Sequence, residues 1–208
     1  MKFNYIIITI NILILVFIFI IYRKNKYQYG LIPIISVVDK KKYLVRDEKD
    51  KKKASLILSN LNNDIQFFIN KLIKDYPNDK PIKRLYNKFR PNRIHETPKT
   101  SQFTSYSVNK GKHLYVCIRN KKNNSFEDYN MLLYVITHEL AHVMSESIGH
   151  TPEFWSNFKF LLKKSIEYKL YKYINYKENP TKYCGLSINN NVLNNSVDFM
   201  NKIKNNLI

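Results

Sequence analysis

His138-Glu139-Leu140-Ala141-His142 is the stretch on which the reading turns. Two histidines four residues apart on a helix project from one face, one turn apart, so both rings reach a single tetrahedral ion. Glu139 sits beside them, where a carboxylate takes a proton from a water activated by that ion. Random placement of the chain's His and Glu residues gives an H-E-x-x-H on the order of 0.005 times per chain, which makes chance a poor explanation. The flanking residues predict the helix this geometry needs. Leu132, Leu133, Val135, Ile136, Leu140, Val143 and Met144 fall at helical spacing, with Ser125 and Asp128 as a capping box before them and a stop near Gly149.

A catalytic zinc site takes three protein ligands and keeps one position open. His150, eight residues after His142, is the expected third ligand, because Gly149 can take a positive φ and turn the chain back. Glu167, on the following helix, is the substitute and would give a two-His, one-carboxylate site. Thr151-Pro152 opens that helix as N-cap and first residue, and Phe154, Trp155, Phe158, Leu161, Leu162 and Ile166 form its buried face. Glu146 continues the ladder, but ligation from a third turn of one straight helix strains the geometry. His95 and His113 read as surface or loop histidines.

Working outward, residues 103–108 and 113–118 flank Asn109-Lys110-Gly111-Lys112 and predict a β-hairpin, with Leu114, Val116 and Ile118 on one face. Residues 54–76 predict an amphipathic helix closed by Pro77, and residues 82–89 a shorter one. The fold class expected is α+β, a zincin-like domain over residues 54–208 in which a hairpin or sheet packs on the H-E-x-x-H helix. The Asn-rich tail from Glu178 carries Leu186, Ile188, Val192, Leu193, Val197, Phe199 and Met200, which suggest a short strand and a docking helix.

Residues 3–22 contain no charged side chain, and twenty residues of helix span about 30 Å, the thickness of a bilayer core. They predict an N-terminal transmembrane anchor over residues 1–24, uncleaved because no small-x-small site follows, then a basic juxtamembrane linker over 25–53. Arg23, Lys24 and Lys26 place the C-terminal domain of this single-pass protein on the cytosolic side. Cys117 and Cys184 read as free thiols of a reducing compartment, although they are able to pair. Asn123-Asn124-Ser125 and Asn194-Asn195-Ser196 match the glycosylation pattern, as Asn-rich chains do by chance.

Composition bounds the alternatives. The 208 residues carry 35 Lys+Arg against 16 Asp+Glu, a formal charge of +19. Nucleic acid or anionic lipid would be attracted, but Lys, Asn, Ile and Tyr are abundant together, the bias of an A/T-rich genome. Nucleic acid is therefore not the favoured partner. Hydrophobic content of 44% excludes a wholly disordered chain, and four glycines exclude a Gly-rich phosphate loop.

Thr137-His138-Glu139-Leu140-Ala141-His142, followed by Gly149-His150-Thr151-Pro152-Glu153-Phe154-Trp155, resembles the zincin-type metallopeptidases of the SprT-like and WLM groups. It looks closest to small membrane-anchored H-E-x-x-H proteins encoded by large DNA viruses. The resemblance covers about residues 103–162. It implies zinc held by His138, His142 and His150, Glu139 as general base, and a strand beside the active-site helix where residues 114–118 would run. WLM members usually have fewer residues between the second and third histidines than the seven here. SprT-like and WLM relatives cleave proteins crosslinked to DNA. The expected function is thus a membrane-anchored zinc metallopeptidase acting on a protein or peptide substrate, which adds to the free edge of the hairpin that contains residues 114–118. The alternative is a non-catalytic, membrane-anchored zinc scaffold or virion component whose fourth ligand is Cys184.

Overall fold

The computed structural model describes residues 2–26 and 30–193. In chain order its elements are α1 (Lys2–Lys26), β1 (Leu31–Ile35), β2 (Lys42–Arg46), α2 (Lys51–Asp75), α3 (Lys80–Lys88), β3 (Ile94–Glu96), β4 (Tyr106–Val108), β5 (His113–Val116), α4 (Tyr129–Met144), α5 (Pro152–Glu167), β6 (Thr181–Tyr183) and β7 (Leu186–Ile188). The domain is α+β, as the sequence pattern requires. The docking helix expected through Val197, Phe199 and Met200, and the Asn194 glycosylation pattern, lie outside the described residues.

The expected membrane anchor is overturned. Among the described residues no helix is long and apolar enough to cross a membrane. The single-pass topology and the location assigned from it fall with the anchor. The stretch expected as a linker also differs. Residues 31–46 form the antiparallel β1–β2 hairpin, with Leu31 opposite Arg46 and Ile35 opposite Lys42. Tyr43 and Val45 alternate into the core and are fully buried, a period-two pattern that the surrounding lysines mask.

Helix α2 buries Leu58, Leu61, Ile65, Phe68, Ile69 and Leu72 along one stripe. Asp79 caps α3, its side chain accepting from the Ile82 N–H at 2.9 Å. Next to these helices lies a three-stranded sheet of order β3-β5-β4, with β3 parallel and β4 antiparallel to β5. Leu114 and Val116 send their side chains into the core. Because β5 is the middle strand, its edges are both occupied, and the free edge of the hairpin is that of β4. The parallel β3 was not read from the sequence. Three residues carry no measurable alternation, and their pairing is set by chain brought in from far away.

The β4–β5 turn sets the sheet against α4. Gly111 has φ +97°, and a Cβ there would meet Val143 Cγ1 at 2.8 Å. Only glycine lets the turn sit this close to the helix carrying the histidines. Helix α4 is capped by Asp128, whose side chain accepts from the Met131 N–H at 3.1 Å. Ser125 does not cap; it bonds Asn123 within its own turn. The helix ends at Met144, short of Gly149, and α5 begins as expected with Thr151 as N-cap and Pro152 in the first turn.

Two long-range ties close the fold. Glu96 is fully buried and takes Arg119 in a two-pronged pair, Nε to Oε1 at 2.7 Å and Nη2 to Oε2 at 2.9 Å. The Arg46 backbone N–H donates to Glu96 Oε2 at 2.7 Å, and Arg119 also pairs with Asp50. Cys117 and Cys184 form a disulfide across 67 residues of sequence, fixing the β6–β7 hairpin to the end of β5. The thiols expected to be free are therefore paired.

Glu96→Ala strands two buried guanidinium groups and should cost about 3–5 kcal/mol, read as a lower urea midpoint. Reducing the disulfide should lower stability by up to about 4 kcal/mol in the same assay, the scale set by the length of the closed loop.

Candidate metal centre

Helix periodicity does the first part of the work. His138 and His142 stand one turn apart on α4, ring centroids 5.0 Å apart. His150 comes from the loop that follows, where Gly149 takes φ +84° and turns the chain back. Its Nε2 lies 3.1 Å from His138 Nε2. One ring nitrogen from each of the three histidines lies within 4.8 Å of the others. Ligands at about 2.0 Å from a tetrahedral zinc sit roughly 3.3 Å from one another, so small side-chain rotations close the set. Phe154, in the first turn of α5, forms the floor. Its centroid is 4.8, 4.2 and 4.7 Å from those of His138, His142 and His150.

Burial shapes the electrostatics. Desolvation, reinforced by the neighbouring rings, holds His138 down at about 3 and His142 at about 4, and desolvation lowers His150 as well. The three rings are thus neutral at pH 7, with lone pairs available to a metal. Glu139 faces the opposite way in this balance. It is 5% exposed, and burial pushes its carboxyl up to about 8. Among the described residues nothing pairs with it or hydrogen-bonds to it. Three imidazoles neutral at pH 7 converge beside a buried carboxyl that has no ion-pair partner, a site with donor atoms left for a cation. The donor set, three imidazole nitrogens with no thiolate, fits zinc.

The other candidates fall away. Glu167 lies at the far end of α5, exposed and paired with Lys164 at 2.7 Å. Glu146 is exposed and paired with Arg84. Cys184 is bound to Cys117 and cannot act as a thiolate ligand. His95 is not a surface residue: it is 5% exposed on β3, and its Nε2 lies 2.9 Å from His113 Nδ1 on β5.

Several residues around the site carried no signal in the sequence. The Glu153 carboxylate accepts from the backbone N–H groups of Glu146 at 2.8 Å and Ser147 at 3.0 Å. These bonds, with the Ser147 hydroxyl, hold its carboxyl down at about 2. Arg84 donates to the Met144 carbonyl at 2.6 Å from 60 residues away in sequence. Tyr183 is buried, bonds Ser105 at 2.7 Å and lies within the field of Glu139, which helps to raise its phenol. Glu153 stands in the first turn of α5, where an acidic residue is a local capping signal, whereas Arg84 and Tyr183 arrive through tertiary packing alone.

The profile of the WLM domain family matches residues 36–206. The chain is 33% identical over 193 residues to an uncharacterized protein of Acanthamoeba polyphaga mimivirus, covering 91% of this chain and 98% of that one. It is 38% identical over 81 residues to an uncharacterized protein of Invertebrate iridescent virus 6, covering 38% of this chain and 42% of that one. Among solved structures, Wss1 from Saccharomyces cerevisiae superposes with a TM-score of 0.46 at 16% identity, over 60% of this chain and 87% of that one.

The histidine outside the triad gives a pH test. Burial, with His113 and Arg93 adding to it, lowers His95 to about 3. The unfolded chain, with an imidazole near 6.5, binds the extra proton between those values. His95 therefore contributes stability above about pH 6.5 that is lost as pH falls toward 3. Between pH 7 and 5 the parent protein should lose on the order of 1–2 kcal/mol more than His95→Gln, measured by urea unfolding at each pH.

Proposed function

The chain belongs to the WLM domain family, and on that premise we propose that it is a zinc-dependent peptidase. The observation that carries the reading is the convergence of three imidazoles, one ring nitrogen of each within 4.8 Å of the others, beside a buried carboxyl with no ion-pair partner among the described residues. His138, His142 and His150 would hold the ion, leaving a position for water or substrate. Zinc bound there supplies Lewis acidity, which makes a water more acidic and polarises a scissile carbonyl.

The chain's own residues do the rest. Glu139, one residue from a ligand and shielded from bulk solvent, takes a proton from the attacking water and passes it to the leaving amine. A carboxyl pushed up toward neutrality is suited to both halves of that transfer. Phe154 and Phe158 flank the rings and keep water from their apolar side. An extended peptide adds to the outer edge of β4, whose other side is paired with β5. Backbone bonds along that edge give affinity with little demand on sequence, and the β4–β5 turn seated on Val143 keeps the edge in register with α4.

A non-catalytic zinc scaffold would close the fourth position, usually with cysteine. Cys184 is in a disulfide, which removes the donor that reading relied upon.

The test is metal analysis followed by cleavage of a peptide library. The parent protein should hold one zinc per chain, and Glu139→Gln should keep that zinc while losing roughly 10²–10⁴-fold in cleavage rate. His142→Ala should lose both metal and activity. Cleavage by Glu139→Gln at the parent rate would end the mechanism.

A further inference from the structure

Two of the three imidazoles are fixed by helix geometry, while His150 stands on a loop. Seven residues separate it from His142, and α4 releases the chain at Met144 and α5 takes it up at Pro152. A loop of this length samples many conformations unless something closes it. His150 is moreover exposed, its ring resting on Phe154 and Trp155 from the solvent side.

We propose that Glu153 is the positioning residue for His150, an inference that rests on the reading of the triad as a metal site. Its carboxylate lies three residues beyond His150, in the first turn of α5. It takes the N–H of Glu146 on one oxygen at 2.8 Å, and the N–H and hydroxyl of Ser147 on the other at 3.0 and 2.6 Å. The Ser147 hydroxyl in turn lies 2.6 Å from that of Thr151, the N-cap of α5. These bonds join the entry of the loop to its exit and turn an open arm into a closed ring with His150 on it. The N-terminus of α5 favours the negative charge at this position, and Arg84 stands 3.8 Å from Glu153.

Other groups hold the loop from outside. Arg84 and Lys110 donate to the carbonyls of Met144, Ser145 and Glu146. Asn157 donates to the Ser145 hydroxyl at 2.9 Å. Their hydrogen bonds fall on residues 144–146, the side of the loop nearer α4. The Ser147–Thr151 hydroxyl pair also spans His150, but Glu153 makes three bonds across it, to two successive residues, and so sets how far the third ring stands from the other two.

The experiment measures zinc affinity by competition with a chromophoric chelator, and the cobalt(II) absorption spectrum, in four full-length proteins: parent, E153A, H150A and the double variant. E153A should bind zinc about 10–100-fold more weakly than the parent, the usual cost of losing a group that orients a ligand. Its cobalt spectrum should move toward that of H150A. In the H150A background the same change should do nothing further, because the group acts through the ring already removed. Zinc affinity and cobalt bands unchanged in E153A would overturn the proposal. So would equal weakening in both backgrounds, which would mark a general effect on the fold. If E153A does not fold, E153Q gives the same comparison with a smaller loss. A parent protein that binds neither metal fails at the earlier step, the metal-site reading itself, and takes this proposal with it.

Discussion

Two imidazoles one helical turn apart can share an ion only while the helix beneath them is held still. Here the restraint comes from both sides of α4. On one side the β4–β5 turn approaches so closely that Gly111 has no room for a side chain against Val143. On the other, α5 lays Phe154 beneath all three rings at once. Close-packed contacts of this kind tolerate little displacement, which is what a metal site needs from its scaffold. The loop that brings in His150 then has a fixed frame at each end.

Two buried carboxylates show how differently one interior can treat the same group. Glu96 is enclosed by two guanidinium groups and a backbone N–H, with every strong acceptor direction used. Its charge is balanced, and it serves to join β2, β3 and the segment after β5. Glu139 is buried to a similar degree without a cation, and its carboxyl is driven upward by desolvation alone. The first arrangement is complete in the polypeptide; the second has no partner among the described residues. That contrast separates an internal tie from a candidate reacting group more firmly than burial does.

Much of the candidate site was legible before the fold was known. His138, Glu139 and His142 announce themselves through the helical repeat, and Thr151-Pro152 marks the next helix through local capping chemistry that needs no partner. The errors share a cause. The charged stretch around Lys40–Lys42 concealed the β1–β2 hairpin because strand formation there depends on burying Tyr43 and Val45 under residues far along the chain. Cys117 and Cys184 were read as thiols because 67 residues lie between them and nothing local shows that they meet. The apolar N-terminal run suggested a bilayer span, a reading that no described helix satisfies.

The sequence by itself determined the chemistry: which atoms are able to bind a metal, which carboxylate stands next to them, and which helix presents them. Those properties follow from spacing along one helix, and local periodicity is enough to fix them. Only the tertiary structure decided that the His150 ring rather than the Glu167 carboxylate lies beside the pair, that β3 joins the hairpin on the β5 side, and that Glu153, Arg84 and Lys110 restrain the connecting loop. Each of these depends on the distance between segments remote in sequence. Such distances are set by how the whole core closes, and no short window of residues contains them.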